Sequence, residues 1–389
     1  MTMSTTPDSD TPDRRLTQFV GDRDAPVPLD EVYRRPPVPA SAPPPEELAR
    51  MRSNRTLYVP NQPGSDNRAL QPSPAGPDGP EGYMQLEVPV EGEFPLGALP
   101  GRAALRESPQ EIVESTDPTV SYSSYRPEWQ DVSYTPRPLP GNGEPPAMRR
   151  INGRPVRPLY VFPPEDRQQY RDNAWPWGLV GRITTSGGWS GSGALVGDRT
   201  VITAGHVVPW GQSSWWMKFT PAYYDGQSLH GPGVESYVSD TRGFDTAGDV
   251  TGYDWAVLRL YQPLGKSLGY FGYNGYSGDW QGKPYWTLLG YPGAIANGQR
   301  PSYQSASSVF DDDSDSNGGQ ELETRADATP GNSGGPYFGW WGQDARVIGV
   351  VSGQEEDYIF PFGSEKGNVM AAGSGFTNLI AWARTNWPL

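Results

Sequence analysis

Residues 326–339 read ADATPGNSGGPYFG, four glycines, two prolines and one serine within fourteen positions. Ser333 sits between Gly331 and the pair Gly334–Gly335. Glycine tolerates positive backbone angles and lets another backbone come close. Such a turn can aim successive N–H groups at one point, which is what an oxyanion hole requires. The amides of Gly331 and Ser333 are the two donors that this spacing predicts, and Ser333 is the candidate nucleophile.

Outward from that turn, the chain from about residue 175 consists of short apolar runs separated by glycine-rich turns: GLVGRITT, WWMKFTPAYY, YDWAVLRLY, YWTLLGYPG and RVIGVVSG. Runs of four to eight residues, rich in Val, Ile, Tyr and Trp and bounded by Gly or Pro, are strand signals. Many short strands in succession imply a sandwich or a barrel. In ALVGDRTVITAG the Gly197-Asp198 pair lies between two apolar runs, the position of a hairpin turn. Only the final GFTNLIAWARTNWPL has a helical period, with Phe376, Leu379, Ile380 and Ala383 at three-to-four spacing and Pro388 beyond its end. The region therefore reads as all-β with one closing C-terminal helix.

The first part of the chain differs. Of 43 prolines, 27 fall in residues 1–150, against one of 14 tryptophans, Trp129. Proline-rich polar tracts bury too little apolar surface to offset their ordering entropy. Residues 1–155 are accordingly expected to be a disordered tail, a propeptide or an arm that docks a partner, and residues 156–389 the folded domain. The net charge is -14, with 17 Lys+Arg against 22 Asp+Glu before Glu165 and 14 against 23 from there on. An acidic chain lacks the basic footprint that nucleic acid or an anionic membrane requires. No apolar run is long enough to span a bilayer. The start, MTMSTTPDSDTPDRRLTQFV, lacks the apolar stretch of a secretory signal. With no cysteine, disulfides, thiolate catalysis and zinc-thiolate sites are all excluded.

Two histidines are present, His206 and His230. His206 directly follows a predicted strand in VITAGHVVPW, whereas His230 lies in the polar turn GQSLHGPG and reads as a solvated loop residue. An imidazole base needs a carboxylate to orient it. Asp254, at the start of the apolar run DWAVLRLY, would be held by a rigid strand; Asp240, Asp245 and Asp249 lie in a glycine-rich polar stretch and would be held less firmly.

The order His, Asp, Ser carried by TAGHV, YDWAVLRL and GNSGGP resembles the chymotrypsin-like serine proteases, with spacings of 48 and 79 residues that leave room for two barrels. VFPPEDRQQYRDNAWPWGLVGRI and the GYPG at 290–293 are similar to the glutamyl endopeptidase-like, mostly bacterial branch. The resemblance covers about residues 160–389. It implies two six-stranded antiparallel β-barrels, a serine endopeptidase acting on proteins or peptides, and an extracellular location. His206 would be the general base, Asp254 its partner, Ser333 the nucleophile, and the amides of Gly331 and Ser333 the oxyanion hole. Ser352 would support the carboxylate, and Val351, Ser352, Gly353 and Gln354 would line the substrate. Glutamate-specific members of the branch place a histidine where Val351 stands and a hydroxyl residue where Ala328 stands. Asp327 holds the position at which the trypsin branch binds Arg or Lys.

Arg150-Ile151 and Arg157-Pro158 are candidate processing sites that would make the chain a zymogen. Asp313, Asp315, Asn317 and Gly318 match the first half of a calcium loop, although Thr324 stands where its bidentate Glu belongs. The same residues also read as a solvated acidic loop. The pairs Trp215-Trp216 and Trp340-Trp341 offer either core or a ligand platform. The alternative to an enzyme is a catalytically idle binding or scaffold protein on the same fold.

Overall fold

A computed structural model describes residues 25–41, 44–47, 107–108, 110–114, 122–139, 159–212, 215–359 and 363–388, with short strands at 54–60, 73–74, 83–89, 150–151 and 154–155. The first half of the domain is a closed antiparallel barrel of six strands: β1 (Val180–Thr185), β2 (Ser190–Leu195), β3 (Thr200–Thr203), β4 (Met217–Pro221), β5 (Ser236–Gly243) and β6 (Ala256–Leu260). They are hydrogen-bonded in the order β3-β6-β5-β4-β1-β2. The Gly197-Asp198 turn joins β2 to β3, and the Val196 and Thr200 amides close it by donating to the Thr200 and Gly197 carbonyls.

The second half contains β7 (Trp286–Gly290), β8 (Ser302–Ser307), β9 (Val309–Ser314), β10 (Gln320–Thr324), β11 (Pro336–Trp341), β12 (Asp344–Ile359) and β13 (Gly363–Ala372). These pair in the order β9-β10-β13-β12-β11-β7-β8. Gln168–Tyr170 extends the sheet beyond β8, Pro138–Leu139 extends it again, and Gly272–Tyr273 adds to β12, giving ten strands in place of the six expected for a second barrel. The closing helix α1 spans Ser374–Asn386, and Phe376, Leu379, Ile380 and Ala383 are buried on one face of it. No helix among the described residues is long and apolar enough to cross a membrane.

Adjacent strand residues point to opposite faces, so Trp340 and Trp341 divide between two cores. Trp340 packs in the cluster that includes the barrel, and Trp341 in a second cluster with Trp280 and Trp286. Trp215 and Trp216 are buried too, so all four are core rather than a ligand platform.

Where the structure describes residues before 156, several of them pack on the domain. Val27, Leu29 and Val32 are buried, and the Val27 amide donates to the Trp340 carbonyl at 2.6 Å. The Trp129 indole donates to the Ser267 carbonyl at 2.7 Å. The Ser267 hydroxyl in turn donates to the Glu47 carboxylate at 2.8 Å. Val113 packs against α1, whose Asn378 donates to the Val113 carbonyl at 2.6 Å. Sparse apolar residues suffice here because the surface that buries them belongs to the domain and not to the arm itself.

Candidate active site

His206 sits on the short 3-10 turn Gly205–Val207 that follows β3. Its own N–H donates to Asp254 Oδ1 at 2.9 Å, and its Nδ1 donates to Asp254 Oδ2 at 2.6 Å. Asp254 is fully buried ahead of β6, and two further donors complete its shell: Thr246 Oγ1 at 3.1 Å on Oδ1 and Ser352 Oγ at 2.7 Å on Oδ2. With Nδ1 committed as a donor, Nε2 is the nitrogen left to accept a proton.

Burial alone pulls the His206 pKa down, but the charge and hydrogen bond of Asp254 together outweigh it and hold the imidazole above its ordinary value. Burial likewise pushes Asp254 up. The opposing pull of His206, with the hydrogen bond from Ser352, leaves the carboxyl below its ordinary value. Asp240 and Asp245 remain engaged locally, with Arg242 and with the Ala247 amide.

Ser352 reaches Asp254 through an irregularity in β12. Val351 opposes Met370 of β13 and Gly353 opposes Val369, so Ser352 is an extra residue on its strand. A bulge of this kind re-aims a side chain beside a site. Val351 is buried next to it, and Gly353 and Gln354 continue the strand half-buried.

In the turn at 330–335 every carbonyl from Pro330 to Ser333 has a donor. The Gly293 amide holds Pro330 at 2.7 Å, Ser192 Oγ holds Gly331 at 2.7 Å, the Gly335 amide holds Asn332 at 2.7 Å and the Ser192 amide holds Ser333 at 2.8 Å. The amides of Asn332, Gly334 and Gly335 go to the carbonyls of Thr329, Val351 and Asn332. Among the described residues this leaves the N–H groups of Gly331 and Ser333 without a protein acceptor, the same two that the glycine spacing singles out. Buried N–H groups are rarely orphaned, so two together are a place for an anion.

Gly331 has φ 106° and Gly334 φ 79°. A Cβ on Gly331 would lie 2.5 Å from the Tyr291 carbonyl, and one on Gly334 would lie 2.1 Å from Thr203 Oγ1, so both positions require glycine. The second contact also shows how close the serine turn stands to the end of β3, from which His206 follows.

Several site residues carry no signal in the sequence. Ser192, Thr246 and Gly293 are a small hydroxyl residue in a strand, a loop threonine and a turn glycine, unremarkable until the fold brings them to Gly331, Asp254 and Pro330.

Asp327 is placed differently from the trypsin-like expectation. Its carboxylate accepts from the Phe162 amide at 2.6 Å and the Asp166 amide at 3.5 Å, so the entry segment occupies it. Burial pushes its pKa up to about 6, against the Phe162 hydrogen bond. The neighbouring Ala328 is fully buried and donates its N–H to the Tyr160 carbonyl at 3.0 Å. His230 also departs from expectation. It is not freely solvated, because its Nε2 donates to the Gly178 carbonyl at 3.0 Å.

The calcium pattern is divided. Asp315 accepts from the Gly252 amide at 2.9 Å and caps the turn through the Ser316 amide, while Asn317 sits at φ 56° within that turn. Asp313 instead lies with Asp311 and Glu323, their carboxylate oxygens within 4.8 Å of one another.

With a closed barrel and a second sheet meeting at a His–Asp pair and a glycine-cradled serine, the molecule falls among chymotrypsin-like proteins. It belongs to the trypsin family, whose sequence profile, described as Trypsin, matches residues 166–361, half of the chain. Over 188 residues it is 29% identical to a glutamyl endopeptidase of Bacillus licheniformis, a match covering 46% of this chain and 54% of the relative. The chain thus spans about half the length of that curated relative. Among solved structures, a Glu endopeptidase in complex with MPD shares 20% identity at a TM-score of 0.46, covering 58% of this chain and 100% of the other. Protease Anisep from Arthrobacter nicotinovorans shares 21% at a TM-score of 0.40, with 56% and 99% covered.

Proposed function

We propose that the chain is a serine endopeptidase that works by acyl transfer. Ser333 attacks a peptide carbonyl while Nε2 of His206 takes its proton, and the resulting tetrahedral oxyanion is bound by the amides of Gly331 and Ser333. The protonated imidazole, stabilised by Asp254, passes the proton to the leaving amine. Water, deprotonated by the same nitrogen, then releases the acyl group. The observation that carries this reading is the pairing of two acceptor-free amides at Gly331 and Ser333 with a part-buried imidazole whose Nδ1 is locked onto Asp254.

The reading does not extend to glutamate as the preferred side chain. Ala328 and Val351 are both fully buried and apolar, and neither offers a group to receive a carboxylate. Nor does it extend to Arg or Lys, because Asp327 is occupied by the entry segment.

The test is labelling with a fluorophosphonate followed by peptide mapping, together with digestion of an unfolded protein by wild type and by Ser333→Ala. The adduct is expected on Ser333, with cleavage lost by several orders of magnitude in the variant and thermal unfolding nearly unchanged. An unlabelled Ser333, or a variant as active as wild type, rules the mechanism out.

A further inference from the structure

We propose that Ser192 is a positioning residue for the oxyanion site, its hydroxyl fixing the peptide planes on both sides of Gly331. This rests on the reading of Ser333 as nucleophile.

Ser192 lies on β2 and is fully buried. Its Oγ donates to the Gly331 carbonyl at 2.7 Å and accepts from the Tyr291 amide at 2.8 Å. Its N–H donates to the Ser333 carbonyl at 2.8 Å, and its carbonyl accepts from Thr203 Oγ1 at 2.8 Å. Every polar group of this one residue is therefore committed, and three of its four hydrogen bonds cross from the barrel to the serine turn and to the segment after β7.

The peptide unit is planar and trans, so its C=O and N–H point in opposite directions. Fixing the Gly331 carbonyl turns the Asn332 amide the other way, onto the Thr329 carbonyl at 2.9 Å. The preceding plane is held by the Gly293 amide on the Pro330 carbonyl, and this points the Gly331 N–H away from that contact. Gly293 stands two residues beyond Tyr291, whose amide the same Ser192 hydroxyl holds. One hydroxyl thus anchors one plane directly and the other through a three-residue link.

The need for an anchor follows from Gly331 itself. At φ 106° and without a Cβ, nothing intrinsic to the residue keeps its two planes in one orientation. Without the hydroxyl, the Gly331 carbonyl and the Tyr291 amide lose their partner in a buried site. The N–H that would bind the oxyanion is then free to turn away.

The experiment compares wild type, Ser192→Ala and Ser192→Thr in the full chain. It uses a peptidyl trifluoromethyl ketone, which forms an oxyanion on the serine, and the same peptide as an unreactive amide. Ser192→Ala is expected to lose kcat by about 10²-fold with KM changed no more than about twofold. Affinity for the ketone should fall in step while affinity for the amide stays at the wild-type value, and Ser192→Thr, which keeps the hydroxyl, should recover most of both losses. Retention of kcat and ketone affinity in Ser192→Ala overturns the proposal, as does an equal loss of ketone and amide affinity, the mark of a merely structural role. Should the alanine variant not fold, the same pair of ligands is applied to Ser192→Cys, whose thiol is a weaker donor, with the selective loss of ketone affinity again expected. Absence of fluorophosphonate labelling in wild type means that the Ser333 reading itself has failed. Labelling together with an unaffected Ser192 variant means that this inference alone has failed.

Discussion

The carboxylate of Asp327 accepts the N–H of Phe162 at 2.6 Å, tying the segment that enters the domain to the segment leading into the turn at Ser333. Asp166 adds its own amide at 3.5 Å, and Gln304 braces both acids by accepting from the Asp327 amide and donating to the Asp166 carboxylate. A carboxylate engaged in this way is part of the framework.

Asp327→Ala should therefore cost stability and leave selectivity alone. Losing the acceptor of a part-buried amide costs about 1–3 kcal/mol. Urea unfolding should show that loss. The ratio of cleavage rates after Arg and after Ala in matched peptides should stay unchanged, and a marked fall in cleavage after Arg would show that Asp327 faces substrate after all.

Asp254→Asn should lower kcat by about 10⁴-fold, because the amide no longer selects the Nδ1–H tautomer. In wild type the acid limb of the kcat/KM profile should lie above 6.5, the ordinary histidine value, because Asp254 raises the His206 pKa. The base works only when neutral, so activity climbs as pH rises through that limb. Ser352→Ala, which removes one of four hydrogen bonds to Asp254, should move the limb slightly and reduce kcat by about tenfold or less. NMR titration of the His206 imidazole in wild type and both variants reads the same shifts.

His230 makes the fold acid-sensitive. Burial holds its pKa down to about 4, from an ordinary 6.5. The unfolded chain takes up that proton at higher pH than the folded one, so stability is lost as pH falls from 6.5 towards 4 and levels off below. His230→Gln, which keeps an N–H for the Gly178 carbonyl, should flatten that part of the curve. Parallel Tm-versus-pH curves for the two proteins would show that His230 is not the cause.

Glu321 has the opposite sign. Burial and the nearby Glu355 carboxylate raise its pKa from 4.5 to about 8. The folded state retains a proton that the unfolded chain has lost, so stability declines as pH rises from 4.5 to 8. Glu321→Gln should melt above wild type at about pH 9 and close to it at about pH 5. Equal melting temperatures at the higher pH would refute the assignment.

The arm should behave as part of the domain. Leu29 is 4% exposed, and Leu29→Ala should cost about 2–5 kcal/mol in urea unfolding. Cleavage at Arg150-Ile151 should leave the two fragments co-eluting from a sizing column, because Val27, Val32, Trp129 and Val113 remain packed on the domain. Separation without denaturant would show that the arm is released on processing.

The local features were legible because their causes are local. The Gly197-Asp198 hairpin, the strand preceding His206 and the α1 face of Phe376, Leu379, Ile380 and Ala383 each follow from the pattern of a dozen residues. Two glycines with positive φ around Ser333 follow from their type. The contacts of the arm were not legible because its own composition supplies few apolar residues. Val27, Leu29 and Val32 are buried in the same core cluster as Trp340, which lies some 300 residues later in the chain.

By itself the sequence pointed to a barrel-forming, cysteine-free chain with His206, Asp254 and Ser333 as candidate chemistry-bearing residues, since residue type and period dictate which groups can act. Only the tertiary structure decided which way they are held. It selected Asp254 over Asp240 and Asp245, turned Asp327 onto Phe162, and brought Ser192 against the turn that carries Ser333. Each of these is a directional hydrogen bond between groups more than about forty residues apart. Such a bond is set by where two strands come to lie, and no local pattern records that position.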